Sequence, residues 1–305
     1  MDSQPAVMRI GISINSSYPD VDGRSAARRM IERARAARAA GLRSLFVGDH
    51  HVVGSTYLQN TPILGRLLAE WNGPVFGALY LLPLTHPVLL AEHTSTLACL
   101  GEGRFVLQCG LGDGERQFSG LGVRRQERVQ RFEASLETLR ALWSGETVDS
   151  AGPWSFQGAR IAPLPPAMPE VWVGAFARVA IERAARLAEG WIASPSLTLS
   201  EGKESAAIYR EACERSGRSV PRRAVLRRDV LVAETQEEAE RLARPVVSGG
   251  YRGFPSEALW VGSPETVRER VLEWSEAGYE EVLVRNLSQD QQVALRSIEL
   301  LQEVS

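Results

Sequence analysis

Two hydrophobic patterns take turns along the chain. Short unbroken apolar runs, such as Leu45-Phe46-Val47 and Phe105-Val106-Leu107, are separated by longer stretches with apolar residues three and four positions apart. Runs without polar alternation are strands buried on both faces, as in parallel sheets. The longer spacing is that of an amphipathic helix. Val129, Phe132, Leu136, Leu139 and Trp143 follow it, as do Val267, Val271 and Trp274. Glycine stands at the junction in four places: Gly41 before Leu45, Gly103 before Phe105, Gly190 before Trp191 and Gly278 before Val282. Glycine takes up the left-handed conformation that ends helices, so each junction is a turn from helix into strand.

The pattern predicts strands over about 8–14, 44–48, 74–80, 104–109, 170–174, 190–194, 224–233 and 281–285. Repeated helix–glycine–strand units imply a parallel α/β fold. Eight of them suggest a closed (β/α)8 barrel, a TIM barrel with insertions, in one domain over residues 1–305; an open doubly wound sheet is the alternative. Two segments interrupt the repeat. Residues 145–169, rich in glycine and proline and carrying Trp154 and Phe156, join a helix to a strand, which places them at the bottom rim in a structural role. Residues 245–262, with Gly249-Gly250-Tyr251-Arg252-Gly253-Phe254-Pro255, separate two helices between the seventh and eighth strands. Such a loop either covers the barrel mouth or is a plain surface connection.

Composition removes several classes of function. The chain has 305 residues, 44% of them hydrophobic and 24% charged, with a net charge of −2. That is enough to bury a large core, and it offers no charge imbalance for nucleic acid or an anionic membrane surface. The longest apolar run, Ala78 to Leu84, is too short to span a bilayer. Residues 1–8 lack the basic and apolar regions of a secretory signal, so a cytoplasmic protein is expected. Cys99, Cys109 and Cys213 form no CxxC pair, which fits a reducing compartment; Cys109 reads as a small buried apolar residue. Lys203 is the only lysine and lies at a polar helix start. A Walker A loop is therefore absent, and Schiff-base chemistry has no suitable amine.

In a barrel the reactive groups sit at the C-terminal ends of the strands. The second strand ends in Gly48-Asp49-His50-His51. Asp49 is placed to orient a histidine or accept a proton, and His50 to donate to a developing negative charge. Neighbouring residues of a strand face opposite ways, so the two histidines do not share one role and a paired-histidine metal site is weak. Asp49-His50 as a polar rim pair without chemistry is the alternative. The fourth strand runs into Gly110-Leu111-Gly112-Asp113-Gly114-Glu115. Gly110 and Gly112 let backbone approach a ligand, or form a plain turn, and Glu115 is a carboxylate at the mouth. Glu115 stands where a dinucleotide fingerprint starting at Gly110 would need glycine. The fifth strand leads into Gly174-Ala175-Phe176-Ala177-Arg178, a helix start. Its free N–H groups and Arg178 are suited to a cofactor phosphate, an ordinary helix start being the alternative. Leu79 and Tyr80 end the third strand and face either a ring system or the core.

Taken in order, these segments resemble the bacterial-luciferase-like flavin and deazaflavin oxidoreductases. The resemblance is carried by Leu45-Phe46-Val47-Gly48-Asp49-His50-His51 and by His86-Pro87-Val88-Leu89-Leu90-Ala91-Glu92 with Gly103-Arg104-Phe105. Gly110 to Glu115, Arg131-Phe132-Glu133, Val173-Gly174, Ala184 to Trp191 and Val261 to Val267 continue it over nearly the whole chain. It implies a (β/α)8 barrel with coenzyme F420 or FMN at the strand ends, and it leans towards coenzyme F420. It also implies His50 and Asp49 beside the ring, Glu115 as a proton donor or acceptor, and Gly174, Ala175, Phe176 and Ala177 around the cofactor phosphate. The Leu79–Tyr80 link falls where many members have a non-prolyl cis peptide. The expected activity is hydride transfer or monooxygenation of a small organic substrate, in a chain that pairs as a homodimer. Glu189, Glu102 and Gln108-Cys109 depart from the family's usual residues. A non-catalytic flavin-binding barrel, a metal-dependent barrel hydrolase and an open-sheet nicotinamide enzyme are the rivals.

Overall fold

A computed structural model describes residues 8–217 and 223–304. Residues 1–7, which carry most of the expectation of no secretory signal, lie outside the described residues. Eight parallel strands close into a ring: β1 (Arg9–Ile14), β2 (Ser44–Val47), β3 (Val75–Leu81), β4 (Arg104–Gly110), β7 (Glu170–Gly174), β8 (Gly190–Ile192), β9 (Arg223–Val232) and β11 (Glu281–Asn286). The ring closes where β9 pairs with β8, Trp191 lying opposite Ala224. The fold is the expected (β/α)8 barrel, and each predicted strand is present with its ends shifted by at most two residues.

The inside of the ring is filled by Phe46, Val75, Val106, Trp172, Ile192, Val225 and Leu283. The Phe46 and Trp172 rings meet at 5.5 Å across the axis. Gly77 makes room for them: a Cβ there would stand 2.0 Å from the Val106 carbonyl oxygen and 2.7 Å from the Phe46 ring. Strand residues of the other phase, such as Leu45, Leu107 and Val171, pack outward on the helices. Burying each large apolar side chain contributes about 1.5–3 kcal/mol. The helical layer comprises α1 (Gly23–Ala39), α2 (Asn60–Leu67), α3 (Pro87–Leu100), α4 (Glu115–Gly120), α5 (Arg128–Trp143), α6 (Arg178–Leu187), α7 (Leu199–Arg215), α8 (Gln236–Val247), α9 (Pro264–Glu276) and α10 (Gln291–Leu300). Starts are encoded locally. Thr198 and Glu201 form a reciprocal capping box on α7, and Ser263 with Pro264 opens α9.

Two connections differ from expectation. Residues 148–159 form an antiparallel hairpin, β5 (Val148–Ala151) and β6 (Ser155–Ala159), and it does not stay at the bottom rim. The Trp154 indole donates to Ser135 Oγ (2.9 Å), Arg131 stacks over it at 4.4 Å, and His86 packs 5.3 Å from it. His86 and Arg131 belong to the starts of α3 and α5, which lie at the mouth end. The ribbon therefore climbs the outside of α5, because Trp154 and Phe156 find apolar cover there. The second difference is β10 (Leu259–Gly262), a strand absent from the expectations. It pairs with the upper part of β9, from Leu259 opposite Asp229 to Gly262 opposite Val232. β8 thus flanks β9 low in the wall and β10 flanks it higher up, on the same side.

Candidate active site

Along the barrel strands the half-exposed positions at the C-terminal ends share the inward phase: Ser13, Gly48, Leu79, Gly110, Gly174, Ser194, Arg227 and Arg285. Their outward neighbours are buried. The mouth is thus the accessible end of the ring, and the ends of β2, β3, β4 and β7, consecutive in the wall, bring the predicted segments to it.

Asp49 follows β2 and is 8% exposed. Its Oδ2 accepts the Leu81 backbone N–H at 2.8 Å, which ties β2 to the end of β3. Its Oδ1 lies 3.2 Å from Nε2 of His51. The histidine held by Asp49 is therefore His51, and His50 turns the other way, exposed, 6.0 Å from the Tyr57 ring. Their charges separate accordingly. The hydrogen bond to Asp49 pushes the His51 pKa up; partial burial, then the neighbouring His51, pushes His50 down. Gln117 joins the loops after β2 and β4, accepting from His51 N–H (2.8 Å) and donating to the Asp113 carbonyl (2.7 Å). A cleft of about 290 Å³ lies between these loops, lined by His50, His51, Gly54, Asp113, Gly114 and Gln117.

Other predicted residues fall out differently. Glu115 begins α4 and is exposed. Gly110 and Gly112 pass beside Leu81, and Gly112 has φ +73, open to glycine at no steric cost. Leu79 faces inward. Tyr80 faces the helices, buried, with its hydroxyl 2.8 Å from Thr61 Oγ1, because it is one residue out of phase with Leu79. The Leu79–Tyr80 peptide is trans, since among the described residues the cis bond is Ala162–Pro163. The ladder Leu79–Gln108, Tyr80–Cys109, Leu81–Gly110 runs through it without interruption. Gly174 and Ala175 lie at the mouth, Phe176 is 66% exposed on the rim, and Ala177 is the N-cap of α6 without a side-chain bond. Arg178 points along the outside to Glu182 (3.3 Å) and Glu211 (4.0 Å).

With the geometry in place, comparison decides the family. The family model for luciferase-like monooxygenase matches residues 8–259. The chain belongs to this family. Among curated relatives, the phthiodiolone/phenolphthiodiolone dimycocerosates ketoreductase of Mycobacterium tuberculosis is 31% identical over 183 residues, 57% of this chain and 47% of the relative. The F420-dependent glucose-6-phosphate dehydrogenase of Beutenbergia cavernae is 31% identical over 166 residues, 51% of this chain and 49% of the relative. The chain spans about half the length of the curated relatives it matches. In fold it is similar to the oxygenating constituent of 3,6-diketocamphane monooxygenase from Pseudomonas putida, in complex with FMN, at TM-score 0.83 and 20% identity, covering 97% of each chain.

Asn15 Nδ2, Gln108 Nε2 and Arg285 Nε are buried donors without a hydrogen-bond partner. Asn15 follows β1 and Gln108 belongs to β4, so two walls offer free amide donors to a ligand, while Arg285 Nε on β11 lies 3.5 Å from Asp229.

Sequence reading missed the most charged part of the mouth. Arg227 and Asp229 on β9, Arg285 on β11 and Arg252 on the loop after α8 form one cluster around Asp229, which is 0% exposed. Burial lowers the Arg227 pKa to about 10, against the raising effect of Asp229. The signal was present: Arg227-Arg228-Asp229 interrupts an otherwise apolar strand, and charge there needs a reason. Arg228, of the opposite phase, donates to the carbonyls of Pro195 (2.7 Å) and Leu197 (2.8 Å) and stacks on Trp274 at 4.2 Å.

Proposed function

We propose that this protein is a two-electron oxidoreductase that binds coenzyme F420 in the barrel mouth and transfers hydride to or from a small organic substrate. When bound, the deazaflavin supplies the redox step. The protein supplies position and protons. The observation that carries this reading is the convergence of His50, the Asp49–His51 pair, the glycine turn and the unpartnered amide donors of Asn15 and Gln108 on one mouth. Asn15 and Gln108 would hold ring oxygens. The uncapped first turn of α6 after Ala177, beside Gly174 and Ala175, would hold the cofactor phosphate. Asp49 fixes the backbone of residues 49–51 by holding Leu81 N–H and His51. His50, with its pKa pushed down, is neutral near pH 7, and its free nitrogen takes a proton from a substrate hydroxyl or returns it. Glu115, exposed on α4, serves as a secondary proton relay to solvent.

An F420-dependent relative at 31% identity supports this choice of cofactor. A second reading, FMN-dependent monooxygenation, is favoured by the family description and by the FMN-bound structural neighbour. Absorbance titration of the purified protein with coenzyme F420 and with FMN separates the two. A saturable shift with coenzyme F420 alone is expected, a shift with FMN alone selects the second reading, and no shift with either refutes both. His50→Ala should then lower turnover by about 10²–10⁴-fold with cofactor affinity unchanged.

A further inference from the structure

Three guanidinium groups converge on a single carboxylate at the mouth. Arg227 lies 3.1 Å from Asp229, Arg285 3.5 Å and Arg252 3.9 Å. Among the described residues, the ion pairs of all three arginines go to Asp229. One carboxylate neutralises one guanidinium, so the cluster keeps an excess of about two positive charges against a protein wall. Asp229 itself has no exposed side-chain surface, while the arginines are 17%, 24% and 46% exposed towards the mouth. Arg285 Nε makes no hydrogen bond. A partly desolvated cation without enough counter-charge is costly unless a ligand completes it. The planar fork of arginine matches the paired oxygens of a carboxylate or phosphate.

Placement gives the cluster a purpose. β11 is separated from β2 by β1 alone, so Arg285 and His50 flank the same quarter of the mouth. Arg252 arrives from the loop between α8 and β10, stacked over Phe254 at 5.0 Å. The arginines and the His50 loop thus stand on nearby walls of one mouth.

We propose that Arg227, Arg285 and Arg252 form a subsite for an oxyanion of the substrate, a carboxylate or phosphate, with Asp229 as the internal counter-charge that gathers the three guanidiniums. This deepens the oxidoreductase reading and rests on it for the word substrate. The same oxyanion chemistry is found on the cofactor's own phosphate, so the test separates the two sources.

Inorganic phosphate is titrated calorimetrically into the protein alone and into the protein saturated with whichever of coenzyme F420 or FMN binds. The expected result is phosphate binding in both states, with affinities within about threefold of each other. Arg285→Gln should weaken phosphate at least about tenfold, and Arg252→Ala about threefold, with cofactor affinity unchanged. Asp229→Asn should tighten phosphate several-fold, a gain that a damaged fold cannot produce. Arg252→Ala and Asp229→Asn keep the test decisive if Arg285→Gln does not fold. Loss of phosphate binding once cofactor is bound would assign the cluster to the cofactor and overturn the proposal, as would equal phosphate affinity in all variants. If neither cofactor binds while phosphate binding still depends on the arginines, the anion subsite stands and the redox reading falls.

Discussion

Asp49→Asn isolates what one carboxylate does for the mouth. Asp49 holds two partners from a side chain that is 1% exposed: the Leu81 N–H at 2.8 Å and His51 Nε2 at 3.2 Å. Removing the charge while keeping the shape costs about 1 kcal/mol at the Leu81 hydrogen bond, and loss of the partly exposed ion pair with His51 adds about 0.2–1 kcal/mol. The total expected is about 1–2 kcal/mol. Asp49→Ala also leaves a buried N–H without an acceptor, and about 3–5 kcal/mol is expected. The pH dependence has a definite sign. Asp49 raises the His51 pKa above its unfolded value, so this stabilisation is fully present below about pH 6.5 and is lost as pH rises through the folded value. The loss from Asp49→Asn should therefore be larger at pH 6 than at pH 8. Urea unfolding at the two pH values, with the His51 ring titrated by NMR, measures both quantities. An unfolding difference that is the same at both pH values, or a His51 pKa unmoved by the substitution, would refute the coupling.

Three other perturbations probe the wall and its supports. Gly77→Ala places a methyl 2.0 Å from the Val106 carbonyl oxygen, so a loss of about 1–3 kcal/mol or more is expected in chemical denaturation. Glu281 is buried at the barrel bottom with its Oε1 accepting from Ser44 Oγ at 2.5 Å, and burial raises its pKa. The cost of keeping it charged grows as pH rises through the unfolded and then the folded value, so Glu281→Gln should raise the Tm at pH 8 and leave it unchanged at pH 4. Arg228→Ala removes the donors to Pro195 and Leu197 and should cost about 3 kcal/mol, with faster hydrogen exchange in residues 194–198 than elsewhere in the barrel.

Most strands were legible as short, largely apolar runs, four of them beside a glycine at the helix-to-strand junction, and that signal is local. The order of segments around the mouth followed from the same repeat. What escaped depends on side-chain phase and on partners distant in sequence. Asp49 had two adjacent histidines to choose from, and only the crossing of β2 towards Leu81 decides for His51. Tyr80 differs from Leu79 by one strand position, which reverses its direction. For Arg178 the sequence leaves a phosphate contact and an ordinary helix start open, and the ion pairs with Glu182 one helical turn on and Glu211 of α7 hold it along the outside. The course of the 148–159 hairpin was set by the contact of Trp154 with Arg131 and Ser135, side chains some twenty positions earlier. The arginine cluster joins residues 227, 229, 252 and 285, whose proximity no local pattern records.

The pairing of β10 with the upper part of β9 fixes where this mouth can vary. Residues 248–258 leave α8 and re-enter the wall at Leu259, whose ladder partner is Asp229 itself. Both ends of that stretch are anchored, so lengthening or shortening it changes the roof over the arginines without altering the eight-stranded ring. Doubling such a loop costs only about 0.6 kcal/mol in chain entropy. The surface above the arginines can therefore be remodelled by exchanging a single short segment, with Arg252 carried or omitted as an independent choice.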